Sequence, residues 1–80
     1  MIKITTKSGA VYEIYPDTKN WKRHVGNDGN VLEIETGIYD TAYFEVGKRM
    51  QIESNVPEGH PMYPCTYFVH STPVTLIEYL

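Results

Sequence analysis

Leucine and alanine are scarce in this chain, with only five between them in 80 residues. Both are strong helix formers, and Gly, Pro, Asn and Asp recur so often among the remaining residues that no stretch is left for a helix of three turns. Cysteine is nearly absent as well. Cys65 is alone, which excludes an internal disulfide and fits a reducing compartment. No apolar run approaches the length of a membrane span, and no basic segment leads into an apolar run at the N-terminus, so neither a membrane helix nor a signal peptide is expected. Lys and Arg never gather into the stripe that a nucleic-acid binder uses to displace phosphate counterions. Residues 1–24 carry five basic and two acidic side chains and residues 25–80 two basic and eight acidic, giving +3 and −6, which sum to the net −3. The one basic cluster, Lys19, Lys22 and Arg23 with His24, reads as a solvated turn, and nucleic acid is not an expected partner.

What the chain does have is branching at Cβ. Val, Ile and Thr supply 22 residues, and their restricted χ1 suits a pleated surface. Ile2 and Ile4 alternate with Lys3 and Thr5, and Ser8-Gly9 offers a tight turn. Ala10, Tyr12 and Ile14 then face away from Val11, Glu13 and Tyr15, which predicts a β-hairpin. Residues 20–25 predict a third strand, with Trp21, Arg23 and Val25 opposite Lys22 and His24. Gly26-Asn27-Asp28-Gly29-Asn30 is the strongest turn signal, because Gly and Asn tolerate positive φ.

Leu32 and Ile34 alternate with Glu33 and Glu35 in a fourth strand that Gly37 ends. Residues 38–46 make a fifth, in which Ile38, Asp40, Ala42, Phe44 and Val46 share one parity while Tyr39, Thr41, Tyr43 and Glu45 take the other. Gly47-Lys48 turns the chain into Met50 and Ile52 against Gln51 and Glu53. Residues 54–64, with Pro57, Gly59, Pro61 and Pro64, predict a loop or sheet edge, since proline cannot donate to a ladder. Two strands follow, 66–70 and, after Pro73, 74–80. The expectation is a single all-β domain over residues 1–80: a small curled antiparallel sheet or partly closed barrel of about six to seven short strands, with the strands at Ile2 and Leu80 pairing to close it.

Chemical motifs are few. His60, Cys65 and His70 are of zinc-ligating type, but their spacing is loose and a fourth ligand is lacking, so no metal or cofactor is expected. Cys65, between Pro64 and Thr66, reads as a small buried hydrophobe rather than a nucleophile. Glu33 and Glu35 share a strand face that a solvated edge explains. Gly47-Lys48-Arg49 lacks the Ser or Thr of a phosphate loop. No grouping combines nucleophile, base and stabiliser, so no enzyme is expected. Seven Tyr, two Phe and one Trp are many for this length, and part of that surplus suits a protein-binding surface while the rest suits core and cross-strand pairs.

The opening IKITTKSGAVYEI, Trp21-Lys22-Arg23, the hairpin phrase EVGKRM and the closing STPV together resemble a group of small proteins of unknown function encoded by actinobacteriophages. The resemblance spans most of the chain and implies a phage origin and a host cytoplasm, with no active site carried over. The combined expectation is a non-enzymatic accessory protein that binds a host protein through an aromatic face. Its expected partner-binding residues are Trp21, Arg23, Tyr39 and Tyr43, with His60 and Tyr63 of the proline-rich loop as a second patch. A self-associating or virion assembly protein and a nucleotide-sequestering protein are the rival readings.

Overall fold

A computed structural model describes residues 1–25, 29, 34–56 and 58–80 of the chain. Among these residues the regular elements are all strands: β1 (Ile2–Thr6), β2 (Val11–Tyr15), β3 (Asn20–His24), β4 (Thr36–Tyr43), β5 (Arg49–Asn55) and β6 (Thr66–Tyr79). Each pairs antiparallel with the next, and β6 pairs with β1, so the sheet closes into a six-stranded barrel. Closure through the terminal strands agrees with the sequence expectation and gives each strand two neighbours. Among the described residues no helix is long and apolar enough to cross a membrane.

The first hairpin follows its alternation. Gly9, at φ +88°, turns the chain while the Gly9 amide donates to the Thr6 carbonyl at 2.9 Å and the Thr6 amide to Ala10 at 3.0 Å. Positive φ is cheap only for glycine, which is why the turn falls there. Ala10, Tyr12 and Ile14 are buried while Val11, Glu13 and Tyr15 lie outward. In β3 the same period buries Trp21 and Arg23. In β5 it buries Met50, Ile52 and Ser54. These side chains fill the barrel together with Ile4, Ile34, Val56, Val69 and Val74. Each large apolar side chain so buried contributes roughly 1.5–3 kcal/mol.

Three departures from the expected strand pattern have local causes. Gly37 does not end a strand but lies inside β4, paired with Trp21. Of the expected strand over Leu32, Glu33, Ile34 and Glu35, the first two lie outside the described residues, as do Gly26, Asn27, Asp28 and Asn30 of the expected turn; Ile34 and Glu35 precede β4 without joining it. Second, β4 does not keep one parity. Its ladder with β5 steps from Tyr39↔Ser54 to Thr41↔Glu53, so Asp40 is an extra residue. Such a bulge moves every later side chain to the opposite face. Tyr39 therefore packs on the core while Tyr43 points outward, and Ile38 and Ala42 no longer share a face.

Third, the two strands expected on either side of Pro73 are one strand of 14 residues. Its first half runs along β5 to the pair Arg49↔Pro73, and its second half along β1 from Thr6↔Val74 to Ile2↔Tyr79. Pro73 stands where β6 leaves one neighbour for the other. Its missing donor costs nothing there, its carbonyl accepts from the Lys7 amide at 2.9 Å, and the Ser71 hydroxyl takes the Met50 amide at 3.0 Å. Register shifts between Thr5 and Thr6 and between Arg49 and Gln51 accompany the bend that lets one strand serve two partners.

Candidate functional site

Two of the expected partner-binding residues belong to the interior. Trp21 is fully buried, stacked on Tyr12 with ring centroids 6.4 Å apart, and its indole Nε1 donates to Ser54 Oγ at 2.7 Å. Arg23 is 7 % exposed. Its Nε donates to the Tyr12 hydroxyl at 3.2 Å, its guanidinium lies 5.9 Å from the Tyr12 ring centre, and its Nη1 pairs with Glu35 Oε2 at 2.9 Å. Burial opposes the guanidinium charge, but these partners more than offset it and hold the pKa above its ordinary value. Burial likewise raises the Tyr12 phenol, with Arg23 acting against it. Both residues were expected on the surface because aromatic and Arg side chains mark interfaces, yet their strand parity with Tyr12 and Ile14 in the paired register puts them inside. Glu35, expected on a solvated edge with Glu33, is instead the counter-ion of Arg23; Glu33 lies outside the described residues.

The proline-rich loop carries its own anchors. Met62 packs on the core, the Met62 amide donates to His60 Nδ1 at 3.1 Å, and the Val56 amide reaches the Cys65 carbonyl at 3.3 Å. His60 is half-buried, Tyr63 is exposed, and Cys65 is exposed rather than a buried hydrophobe. Cys65 lies at the mouth of β6, where the alternation that buries Val69 has not begun. Among the described residues no group of three His, Cys, Asp or Glu side chains is placed to hold a metal ion.

The outer wall divides into two kinds of surface. Across β6, β1, β2 and β3, the paired positions Glu78, Lys3, Glu13 and Lys22 alternate in sign. Opposite charges therefore stand in neighbouring cross-strand positions, where they attract rather than repel, and Glu13 pairs with His24. Glu13 also accepts hydrogen bonds from the Tyr15 hydroxyl and His24 Nε2, which hold its carboxyl below the usual range.

The wall formed by β4, β5 and β6 differs. Register sets three rows side by side: Ile38 with Asn55 and Thr66, Thr41 with Glu53 and Phe68, and Tyr43 with Gln51 and His70. Ile38, Tyr43 and Phe68 are 52 %, 50 % and 59 % exposed, so half or more of each large apolar side chain meets water. The Tyr43 hydroxyl is held at the rim by Glu45 Oε2 at 2.7 Å, and that hydrogen bond raises the phenol pKa. The loop bearing His60 and Tyr63 joins Asn55 to Thr66 and so borders the first row.

Of the residues expected to bind a partner, Tyr43 alone lies within these three rows. Tyr39 is half-buried on the core side, Tyr63 is near the border, and Ile38 and Phe68 were missed. Phe68 carried a readable signal, since it falls on the polar parity of its strand with Thr66 and His70. Ile38 carried none, because the bulge at Asp40 reverses the parity that would have placed it.

No protein-family model matches the chain, and no curated protein or solved structure is detectably similar to it.

Proposed function

We propose that this protein is a non-enzymatic protein-binding module whose contact surface is the outer wall of β4, β5 and β6. The observation that carries the reading is the placement of Ile38, Tyr43 and Phe68, each at least half exposed, on one wall among Gln51, Glu53, Asn55 and Thr41. Removing such side chains from water on binding supplies affinity, and the polar positions between them supply direction. The phage resemblance supports a host component as the partner and the host cytoplasm as the place of action. A second reading, self-association, draws support from the distribution of charge along β5.

The test is affinity capture from host lysate followed by a direct binding measurement on the recovered protein, comparing the wild type with a Tyr43→Ser, Phe68→Ser variant. Both positions are exposed, so the variant should keep its thermal unfolding midpoint within a few degrees, in line with surface substitutions of about 0.5 kcal/mol or less. A partner lost from the folded variant supports the reading. Undiminished capture by that variant removes the wall from consideration. Trp21→Ala is unsuitable for this purpose, because it empties the core.

A further inference from the structure

We infer that the occupant of the β4–β5–β6 wall is a second copy of this chain, docked face to face about a two-fold axis that crosses the strands at Gln51. The inference rests on the reading of that wall as a protein-binding surface and takes self-association, the second reading above, over a host component as what occupies it.

The outward side chains of β5 are Arg49, Gln51, Glu53 and Asn55, alternating with buried Met50, Ile52 and Ser54. Arg49 and Glu53 therefore stand one outward position to either side of Gln51. At about 3.3 Å per residue their backbones are roughly 13 Å apart, beyond the screening length of about 8 Å at physiological salt, so they do not neutralise one another. Among the described residues the ion pairs are Arg23–Glu35, His24–Glu13 and Lys48–Glu45, and neither Arg49 nor Glu53 takes part in one. Glu53 Oε2 receives only a 3.3 Å hydrogen bond from the Thr41 hydroxyl. The opposite wall of the barrel, where signs alternate from strand to strand, shows no such separation.

A wall with a cation at one end and an anion at the other, about a neutral centre, is its own complement. Two copies can face each other about an axis parallel to the strands or about one perpendicular to them. The parallel axis sets Arg49 over Arg49 and Glu53 over Glu53. The perpendicular axis through Gln51 sets each Arg49 over the Glu53 of the other copy, twice, as an isologous interface requires. It also makes Tyr43, Gln51 and His70 the central row, and brings Phe68 over the second copy's Pro73, which stands in register with Arg49. Three strands about 4.8 Å apart and seven residues long give a footprint of roughly 15 by 23 Å, smaller than the ~800 Å² per partner of a standard interface. The dimer is accordingly reversible and depends on concentration.

Sedimentation equilibrium of the full chain, from low micromolar to millimolar, tests this. Wild type should pass from one chain mass to two. Arg49→Glu and Glu53→Arg should each stay monomeric, since each places like charges opposite one another twice. An equimolar mixture of these two variants should recover the dimer, because one copy then presents two anions and the other two cations. Circular dichroism melts confirm that both variants are folded. A wild type that stays monomeric at millimolar concentration, a dimer that survives either single reversal, or a mixture that fails to associate each overturns the docking. The underlying reading fails separately: it falls only if substituting Tyr43 and Phe68 leaves the capture of every partner, self included, unchanged.

Discussion

Replacing Gly37 with alanine should destabilise the barrel even though glycine is normally a liability inside a strand. A Cβ at this position would lie 2.7 Å from Ser54 Oγ, 3.2 Å from the Asn55 carbonyl oxygen and 3.3 Å from Trp21 Nε1. The first distance is closer than a carbon and an oxygen can approach without something moving. Ser54 is fully buried and its hydroxyl is committed, accepting from the Trp21 indole at 2.7 Å and placed 3.3 Å from both the Ile38 and Asn55 carbonyls. Displacing that oxygen loosens the indole bond and leaves a buried donor poorly satisfied, at about 1–3 kcal/mol. Overpacking adds about 1–3 kcal/mol, and the lower chain entropy of alanine returns about 0.5–1 kcal/mol. The net loss is about 1–5 kcal/mol, and each kcal/mol lowers the melting temperature of a domain this size by roughly 4–8 °C.

Urea and thermal unfolding followed by the fluorescence of Trp21, the only tryptophan, measure this loss. The decisive comparison is a double-mutant cycle with Ser54→Ala, which deletes the clashing oxygen while keeping the Cβ. Gly37→Ala should then cost clearly less in the Ser54→Ala background than in the wild type. A neutral or stabilising Gly37→Ala, or an equal cost in both backgrounds, would refute close approach as the reason for glycine.

Two further outcomes follow from the interior and from the surface carboxylates. Glu35→Ala should cost about 1–3 kcal/mol in urea titrations by removing the carboxylate that accepts from the buried Arg23 Nη1, and Glu35→Gln less, because the amide oxygen still accepts. The Glu13 and Glu45 carboxyls are held below their ordinary value of 4.5, chiefly by hydrogen bonds from Tyr15 and Tyr43 respectively. Their contribution is therefore present above pH 4.5 and is lost as pH falls through the folded-state values. The urea midpoint should drop on acidification, and less steeply in Glu13→Gln. At the alkaline end burial raises the Tyr12 phenol, so stability should decline as pH rises past 10, where the unfolded chain ionises first, and Tyr12→Phe should flatten that decline.

Most of the barrel is legible in the residues alone because strand alternation has a period of two and glycine turns are local. Ala10, Tyr12 and Ile14, and Met50 and Ile52, each announce a one-sided row that proves buried, and Ser8-Gly9 and Gly47-Lys48 announce their turns, with both glycines at positive φ. The all-β class follows from the same pattern, whereas the pairing of β1 with β6 that closes the barrel joins residues some seventy positions apart, which no local pattern fixes. What the residues do not announce is which row faces which. The bulge at Asp40, which sends Tyr39 inward and Tyr43 outward, depends on how β4 registers against β5. The continuity of β6 through Pro73 depends on β5 and β1 being there to receive its two halves. Gly37 looks like a terminator until the Trp21–Ser54 hydrogen bond is seen to pass over it. Trp21 and Arg23 look like interface residues until Tyr12, Glu35 and Ser54 supply their partners from strands and loops distant in sequence. Local conformational preference determined where strands and turns fall, whereas registry, burial of the polar groups and the composition of the outer walls required contacts between residues that the chain alone leaves far apart.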